Sequence, residues 1–233
     1  MKKTKLLITS LIITSSLFMT GCAKKQKVEK IEIDTSNYIT ENVKITNADD
    51  ALKRLKDGNK RFKDNNSQLI NVTSERRDQL KDGQSPYAIV VSCSDSRTTP
   101  ETVFNAGLGE IFDIRLAGNV VDDDALGSIE YGVDHLGTPL IVVMGHEKCG
   151  AVTAAYDNVT KGAAVHGNVV SIVEKIKPSA EKATSLDEAI NLNIKYVINE
   201  ISNDEIIKKA IDDGKVKVVG AYYSFDGTVN FLS

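Results

Sequence analysis

The chain of 233 residues contains no tryptophan, only four prolines and only three cysteines. Aromatic residues make up 6% of the sequence, which argues against a surface that stacks carbohydrates or nucleic-acid bases. No stretch of basic residues is long and the formal net charge is −3, so the composition predicts no nucleic-acid partner. Hydrophobic residues account for 41% of the chain, which is enough for one core of ordinary size.

The N-terminal segment has the layout of a bacterial export signal. Three lysines among the first five residues precede a run without charged residues from Leu6 to Thr20, as in the basic start and short apolar middle of a secretory signal. A run of about 15 residues is shorter than the ~20 that a membrane-spanning helix needs. We therefore expect residues 1–21 to be a signal peptide.

The apolar run ends in Met19-Thr20-Gly21-Cys22, which resembles the lipobox of bacterial lipoproteins, where the cysteine is lipidated and becomes the new N-terminus. Residues 22–44 are rich in Lys, Glu, Asn and Thr and indicate a tether. We therefore expect an extracytoplasmic protein that is anchored to a bacterial membrane through Cys22. The alternative is an ordinary cleaved signal followed by an unrelated cysteine, which would make the protein secreted or periplasmic.

Residues 45–233 alternate between apolar, β-branched runs and helical patterns. Continuous apolar runs are typical of strands buried on both faces, and helices are indicated by apolar residues at helical spacing behind capping residues. The alternation predicts one α/β domain, a mostly parallel central sheet flanked by helices. The predicted strands are Tyr87–Val91, Ile111–Ile114, Pro139–Met144 and Val216–Val219, and the predicted helices are Asp49–Asp64, Ser74–Lys81, Leu126–Leu136 and a segment from Ser185 to Ile201.

Two loops that follow the strongest strands carry metal-binding residue types. The first contains Cys93, and the second contains His146 and Cys149. In open α/β sheets ligands bind beyond the carboxyl ends of the strands, and a set of two cysteines and one histidine leaves a zinc ion one open position. The sequence therefore predicts a catalytic zinc site. The alternative for the two cysteines is a disulfide, which an exported protein permits but which leaves His146 without a role.

Asp95 and Arg97 alternate with Cys93, so in an extended segment the three side chains lean the same way. A carboxylate two residues from a metal ligand can accept a proton from water at the metal, or it can occupy the open position itself. Arg97 offers a planar fork that holds such a carboxylate ionised. A surface ion pair of little consequence is the alternative, and the neighbouring ligands favour the catalytic interpretation.

Five blocks of the sequence carry a family resemblance: Ser92–Arg97, Arg115–Asn119, Gly127–Tyr131, Gly145–Val152 and Val219–Tyr223. Together they resemble the β-class carbonic anhydrases, over a region from about Asp49 to the C-terminus. The resemblance implies that Cys93, His146 and Cys149 bind one zinc ion per subunit and that Asp95 and Arg97 form the catalytic dyad. The implied reaction is the reversible hydration of carbon dioxide to bicarbonate and a proton.

The resemblance also implies a substrate pocket and an assembly. Gln84, Phe112, Tyr131 and Gly150 match positions that contact or line the substrate site, with Gln84 acting from across a dimer. Asp95 matches a residue that can close onto the metal as a fourth ligand. The family forms homodimers or homotetramers, and the helix near the start of the domain corresponds to an arm that clasps the partner. Since the chain has no tryptophan, the tryptophan-containing regulatory bicarbonate site of some members is not expected.

Two other functions fit the same zinc loops. Relatives that hydrolyse carbonyl sulfide or carbon disulfide share these loops, and the sequence alone does not separate them. A non-catalytic zinc-binding or bicarbonate-binding protein is the alternative from a different class. The presence of both Asp95 and Arg97 favours catalysis, because a structural zinc ion needs neither residue.

Overall fold

The computed structural model describes residues 44–232 of the chain. The predicted signal peptide (1–21), Cys22 and the tether up to residue 43 lie outside this region, so the predictions about them stay predictions. Within residues 44–232, no helix has both the length and the apolar character needed to cross a membrane.

A five-stranded sheet with the order β2-β1-β3-β4-β5 forms the centre of the domain. The first four strands are parallel to their neighbours, and β5 runs antiparallel to β4. All four predicted strands are confirmed, whereas β5 was not predicted because it is short and lacks a continuous apolar run. The strands are β1 (Ala88–Ser92), β2 (Ile111–Arg115), β3 (Leu140–His146), β4 (Lys217–Tyr223) and β5 (Val229–Leu232).

Eight α-helices of the described region flank this sheet. The prediction placed the first helix within one residue of its observed bounds, and Asn47 caps it by accepting a hydrogen bond from the Asp50 amide. The helices are α1 (Ala48–Lys63), α2 (Ser74–Gln79), α3 (Pro100–Val103), α4 (Asp123–Asp134), α5 (Gly150–Lys161), α6 (Val169–Ala180), α7 (Leu186–Asn203) and α8 (Glu205–Asp212), with a short 3₁₀ turn at Ala117–Asn119.

Ser185-Leu186-Asp187-Glu188 has the sequence of a capping box, and the start of α7 shows this box in a shifted form. The Ser185 hydroxyl accepts from the Glu188 amide at 3.2 Å, as predicted. The Glu188 carboxylate, however, accepts from the Thr184 amide at 2.7 Å and not from the amide of Ser185. The Glu188 carboxylate therefore pairs with Thr184, one residue before the N-cap Ser185, and the Thr184 hydroxyl also donates to it.

Two apolar layers cover the two faces of the sheet. Side chains alternate between the faces along each strand, so neighbours such as Val90 and Val91 belong to different layers. Helix α1 packs against one face through Ala51 and Leu55, and α4 to α8 cover the other. β1 and β3 are buried along their whole length, which explains their continuous apolar sequence.

Candidate metal centre

The adjacent parallel strands β1 and β3 bring the two predicted metal-binding loops to the same edge of the sheet. Cys93 is the residue after β1, His146 is the last residue of β3, and Cys149 directly precedes α5. All three side chains are buried, with residue exposures of 6%, 1% and 0%. The sheet therefore places them beyond the carboxyl ends of its central strands, as predicted.

One ligand atom from each of these residues lies within 4.8 Å of the other two. The two sulfur atoms are 3.9 Å apart and both cysteines are free, so the alternative of a disulfide does not describe this structure. Two thiols and one imidazole form a donor set that suits zinc. The cluster was predicted from residue types at strand ends, and the structure brings all three members together.

His146 is oriented for coordination. Its Nδ1 lies 2.9 Å from the Glu147 carbonyl oxygen, and because a carbonyl can only accept, Nδ1 carries the proton. The other ring nitrogen, Nε2, is then a free acceptor, and it is buried without a hydrogen-bond partner. A buried acceptor without a partner is costly, and a metal ion among the three donors would satisfy it. Fixing one ring nitrogen on a carbonyl is also the usual way in which a metal-binding histidine is oriented.

The two thiols differ in their affinity for protons. The Cys149 thiol donates to Cys93, which lowers the pKa of Cys93, and burial opposes this effect. The Gly118 amide also donates to Cys93 Sγ, at 3.2 Å. The same thiol pairing, together with burial, raises the pKa of Cys149. A divalent cation held by the two sulfur atoms would stabilise both as thiolates.

Asp95 and Arg97 form a two-pronged ion pair beside the cluster. Arg97 Nε donates to Asp95 Oδ1 at 2.9 Å and Nη2 donates to Oδ2 at 2.7 Å. These contacts hold the pKa of Asp95 well below its ordinary value, with burial acting against them. Asp95 Oδ2 is 4.0 Å from His146 Nε2, so the carboxylate borders the cluster while it faces Arg97.

Arg115 and Gly118 support the first loop, and sequence reasoning assigned neither a role. Arg115 Nε donates to the Cys93 carbonyl at 3.0 Å, and its Nη2 donates to the Asp95 carbonyl at 2.5 Å. Gly118 has a φ of +73°, and an added Cβ would lie 2.7 Å from Ile176 Cδ1, so a glycine is required there. The one signal in the sequence was their membership of the Arg115–Asn119 block.

The turn between β4 and β5 closes the other side of the site. The Glu147 amide donates to the Tyr223 carbonyl at 2.8 Å, and the Phe225 amide donates to Glu147 Oε2 at 3.0 Å. The Phe225 ring centroid lies 4.2 Å from Arg97 Cζ. Sequence reasoning missed Phe225 because β5 was not predicted, and nothing in the local pattern marked this turn as part of the site.

The four predicted substrate residues divide into two groups. Gly150 is adjacent to Cys149 at the start of α5. Phe112 and Tyr131 are neighbours, with ring centroids 6.3 Å apart, and Gln84 is exposed in the segment before β1. Phe112 pairs with Ile89 near the beginning of β1, which is about 13 Å along the strand from Cys93 at ~3.3 Å per residue.

Gln84, Phe112 and Tyr131 therefore belong to the opposite end of the sheet from the metal cluster of the same chain. The two remaining histidines, His135 and His166, are the other candidate proton relays in the sequence. His135 stacks on Tyr131 with ring centroids 5.0 Å apart, which puts it at the end of α4 with that second group. His166 is exposed before α6. Neither histidine has a contact with the metal cluster among the described residues.

Known proteins resemble this chain in sequence and in fold. The family model described as carbonic anhydrase matches residues 88–229. Carbonic anhydrase 2 of Mycobacterium tuberculosis is 37% identical over 187 residues, which cover 78% of this chain and 90% of the relative. The β-carbonic anhydrase of Coccomyxa in complex with acetazolamide aligns with a TM-score of 0.62 and 26% identity, over 78% of this chain and 86% of that one.

A tetrameric β-carbonic anhydrase of the fungus Sordaria macrospora aligns with a TM-score of 0.60 over 67% of this chain and 85% of that chain. At 24% identity, this likeness concerns the fold alone. The mostly parallel sheet with flanking helices is thus an arrangement that solved structures share with this chain.

Proposed function

The chain belongs to the β-class carbonic anhydrase family, and from this membership we propose how its own residues divide the work of catalysis. The protein is a zinc-dependent carbonic anhydrase, a lyase that interconverts carbon dioxide and bicarbonate. The observation that carries this assignment is the buried cluster of Cys93, His146 and Cys149 at the carboxyl edge of the sheet. The match to carbonic anhydrases does not favour hydrolysis of carbonyl sulfide or carbon disulfide, nor does it favour a non-catalytic role.

Cys93, His146 and Cys149 would hold the zinc ion. The metal, when bound, supplies Lewis-acid chemistry that lowers the pKa of a water molecule towards neutrality. The protein contributes a buried set of donors whose histidine is already oriented by the Glu147 carbonyl. It also contributes apolar packing around the cluster, since Val91, Val143 and Val152 are buried in the same core as Cys93 and Cys149. Exclusion of bulk water strengthens the electrostatic interactions inside such a site.

Asp95 is proposed to receive the proton that the reaction releases. Its Oδ2 borders the cluster at 4.0 Å from His146 Nε2. Arg97 keeps the carboxylate ionised by lowering its pKa, so Asp95 would pass a proton on to solvent and would not retain it. The Arg97 side chain is 56% exposed, so a proton on Asp95 has a short path to solvent. The metal cluster, the Asp95 carboxylate and bulk water thus lie one after another along a single route for the proton.

The substrate pocket is proposed to be completed by a second copy of the chain. In one chain, Phe112 lies near the start of β1 through its pairing with Ile89, and the metal cluster lies at the strand end. Tyr131 is 46% exposed beside Phe112, as expected for an aromatic side chain that is covered by another subunit. A homodimer or homotetramer would bring Gln84, Phe112 and Tyr131 of one subunit to the metal cluster of the other.

The export signal predicted from the sequence of residues 1–21 supports a location outside the cytoplasm. We propose that Cys22 is lipidated and that residues 22–44 tether the domain to a bacterial membrane, in keeping with the lipobox-like sequence before Cys22. Mass spectrometry of the protein from a membrane fraction should find an acylated N-terminal Cys22. A cleaved, unmodified N-terminus in the soluble fraction would instead indicate secretion or periplasmic release.

Activity and metal content together test the main assignment. Stopped-flow measurement of carbon dioxide hydration with a pH indicator should give rapid turnover by the zinc-loaded protein. Zinc analysis should give about one ion per subunit, as a three-residue catalytic site holds one. Sulfide release from carbonyl sulfide, measured in parallel, should be slow. Stoichiometric zinc without carbon dioxide hydration would favour the non-catalytic function.

A further inference from the structure

Arg97 needs more than its ion pair to hold one position. Its side chain is 56% exposed, whereas that of Asp95 is 17% exposed. Long exposed side chains lose conformational entropy when they are fixed, and an exposed ion pair alone compensates little of that loss. Whether the Asp95 carboxylate faces Arg97 or the metal cluster therefore depends on the other contacts of the Arg97 guanidinium.

The Phe225 ring provides a second contact for Arg97. The ring centroid lies 4.2 Å from Arg97 Cζ, well inside the ~6 Å range of cation–π attraction. Asp95 contacts the guanidinium through Nε and Nη2, along its edge. Asp95 and Phe225 thus make separate contacts with the guanidinium, and the two contacts together hold it in position.

Phe225 is itself held by the turn that carries it. Its amide donates to Glu147, the residue after the metal ligand His146. Its ring meets the Tyr223 ring edge-on, with centroids 6.0 Å apart and planes at 84°. The carbonyl of Gly227 in the same turn accepts from the buried Asn59 side chain at 2.9 Å. The ring therefore has a fixed place relative to both metal-binding loops.

We propose that Phe225 is a positioning residue that keeps Arg97, and through it Asp95, turned away from the metal cluster. The proposal rests on the roles given to Asp95 and Arg97 under the proposed function. Its consequence is that the aromatic face, and not only the apolar bulk of residue 225, sets the balance between two states. In one state Asp95 is paired with Arg97, and in the other its carboxylate has moved onto the metal.

The test compares three variants of the full chain. Phe225→Leu removes the ring face and keeps an apolar side chain, while Phe225→Tyr keeps the ring. Phe231→Leu is the matched control, because Phe231 lies in β5 and its ring contacts Lys56 and Phe104, with no contact to Arg97. Each variant is loaded with cobalt(II), whose visible spectrum changes when a carboxylate enters its coordination sphere.

Phe225→Leu should raise the ratio of the carboxylate-bound to the carboxylate-free cobalt form about two- to fivefold, the size of one exposed cation–π contact. Phe225→Tyr and Phe231→Leu should keep the wild-type ratio. In ¹⁵N-labelled zinc protein, the ring-current shift of the Arg97 Nε–H proton should disappear in Phe225→Leu and persist in Phe225→Tyr.

Three results would overturn the proposal. These are an unchanged cobalt ratio in Phe225→Leu, a Phe225→Tyr variant that is as perturbed as Phe225→Leu, or an equal effect of Phe231→Leu. A wild-type protein that binds metal but does not hydrate carbon dioxide would contradict the proposed function alone, because the two spectroscopic comparisons do not depend on turnover.

Discussion

At the scale of single residues, the site combines a fixed donor set with one carboxylate that has two possible partners. His146 has one nitrogen committed to the Glu147 carbonyl and the other free. Asp95 lies between Arg97, at 2.7 Å, and the cluster, with 4.0 Å between its Oδ2 and His146 Nε2. Metal binding and proton acceptance are therefore assigned to different side chains, and substitutions should separate them.

Asp95→Asn should keep zinc and lose most of the turnover. An amide cannot accept the released proton at neutral pH, and general-base catalysis contributes roughly a hundredfold or more. Zinc analysis and stopped-flow hydration measured on the same sample check both parts. Asp212→Asn serves as the control, because Asp212 is exposed and pairs only with Lys208 among the described residues. A variant with full hydration activity would remove Asp95 from the mechanism.

Cys149→Ser should lose zinc and activity together. Serine at neutral pH is a neutral hydroxyl and a poor zinc ligand, and two donors are too few for a stable catalytic site. Dialysis against a weak chelator, followed by metal analysis, should find zinc in the wild type and little in the variant. Stoichiometric zinc in Cys149→Ser would show that the ion is held elsewhere.

At the scale of secondary-structure elements, the metal site depends on turns and helix contacts that lie outside the two ligand loops. Gly118 donates its amide to Cys93 from the 3₁₀ turn. Asn59 of α1 is 6% exposed and joins the β4–β5 turn to the last residue of α3, Val103. Their contacts join positions that are distant in sequence.

Gly118→Ala should destabilise the fold more than Gly162→Ala. Both glycines have a positive φ, +73° and +67°, but an added Cβ has open space at Gly162 and clashes with Ile176 at Gly118. Backbone strain costs about 1 kcal/mol at either site, and overpacking adds roughly 1–3 kcal/mol at Gly118 alone. Urea unfolding of the two variants measures the difference. Equal losses would mean that the Ile176 contact relaxes without cost.

Asn59→Ala should lower the free energy of unfolding by about 2–4 kcal/mol, because it leaves several buried backbone groups without partners. The Asn59 side chain donates to the carbonyls of Val103 and Gly227 and accepts from the Val229 amide at 2.9 Å. Asn191→Ala, which removes one exposed contact within α7, is the control and should change stability little. Similar unfolding midpoints for both variants would contradict this role of Asn59.

Asp113 in β2 should make stability depend on pH. Burial, with a smaller effect of Glu101, raises the pKa of Asp113 from 3.8 to about 7, and Arg115 opposes the shift. Between these two pH values the folded state therefore retains a proton that the unfolded chain has released. The stabilising effect of this proton is lost as the pH rises through about 7. Asp113→Asn should be more stable than the wild type above this pH and similar to it near pH 4, in unfolding experiments at both pH values.

At the scale of the whole molecule, the features that could be predicted from the sequence are those that depend on residue type and on the local sequence pattern. The apolar runs predicted the four parallel strands. The metal cluster could be predicted because few residue types bind zinc and the three that do so here stand at strand ends. Phe225, Asn59 and Arg115 could not be predicted, because their contacts join segments distant in sequence that meet only in the folded sheet. The strand register was likewise needed to show that Phe112 and Tyr131 lie at the opposite end of the sheet from the metal cluster.

Mixing two inactive chains should restore activity if the pocket spans two subunits. Cys149→Ser lacks a metal site but keeps Gln84 and Phe112, and a double variant, Gln84→Ala with Phe112→Ala, keeps the metal site. Each mixed dimer of the co-expressed chains should then contain one complete pocket, so hydration activity should exceed the sum of the two variants measured separately. Sedimentation should show a dimer or a larger assembly. Activity no higher than the sum of the two variants would confine the pocket to one subunit.

The sequence separation of 56 positions from Cys93 to Cys149 has a consequence for folding. A zinc ion held by both sulfur atoms would bind the folded chain, in which these atoms lie 3.9 Å apart, and would stabilise the fold by its binding free energy. Because β1 and β3 must pair before the sulfur atoms meet, the ion selects chains whose central strands are already in register. Chelation should therefore accelerate unfolding as well as abolish turnover.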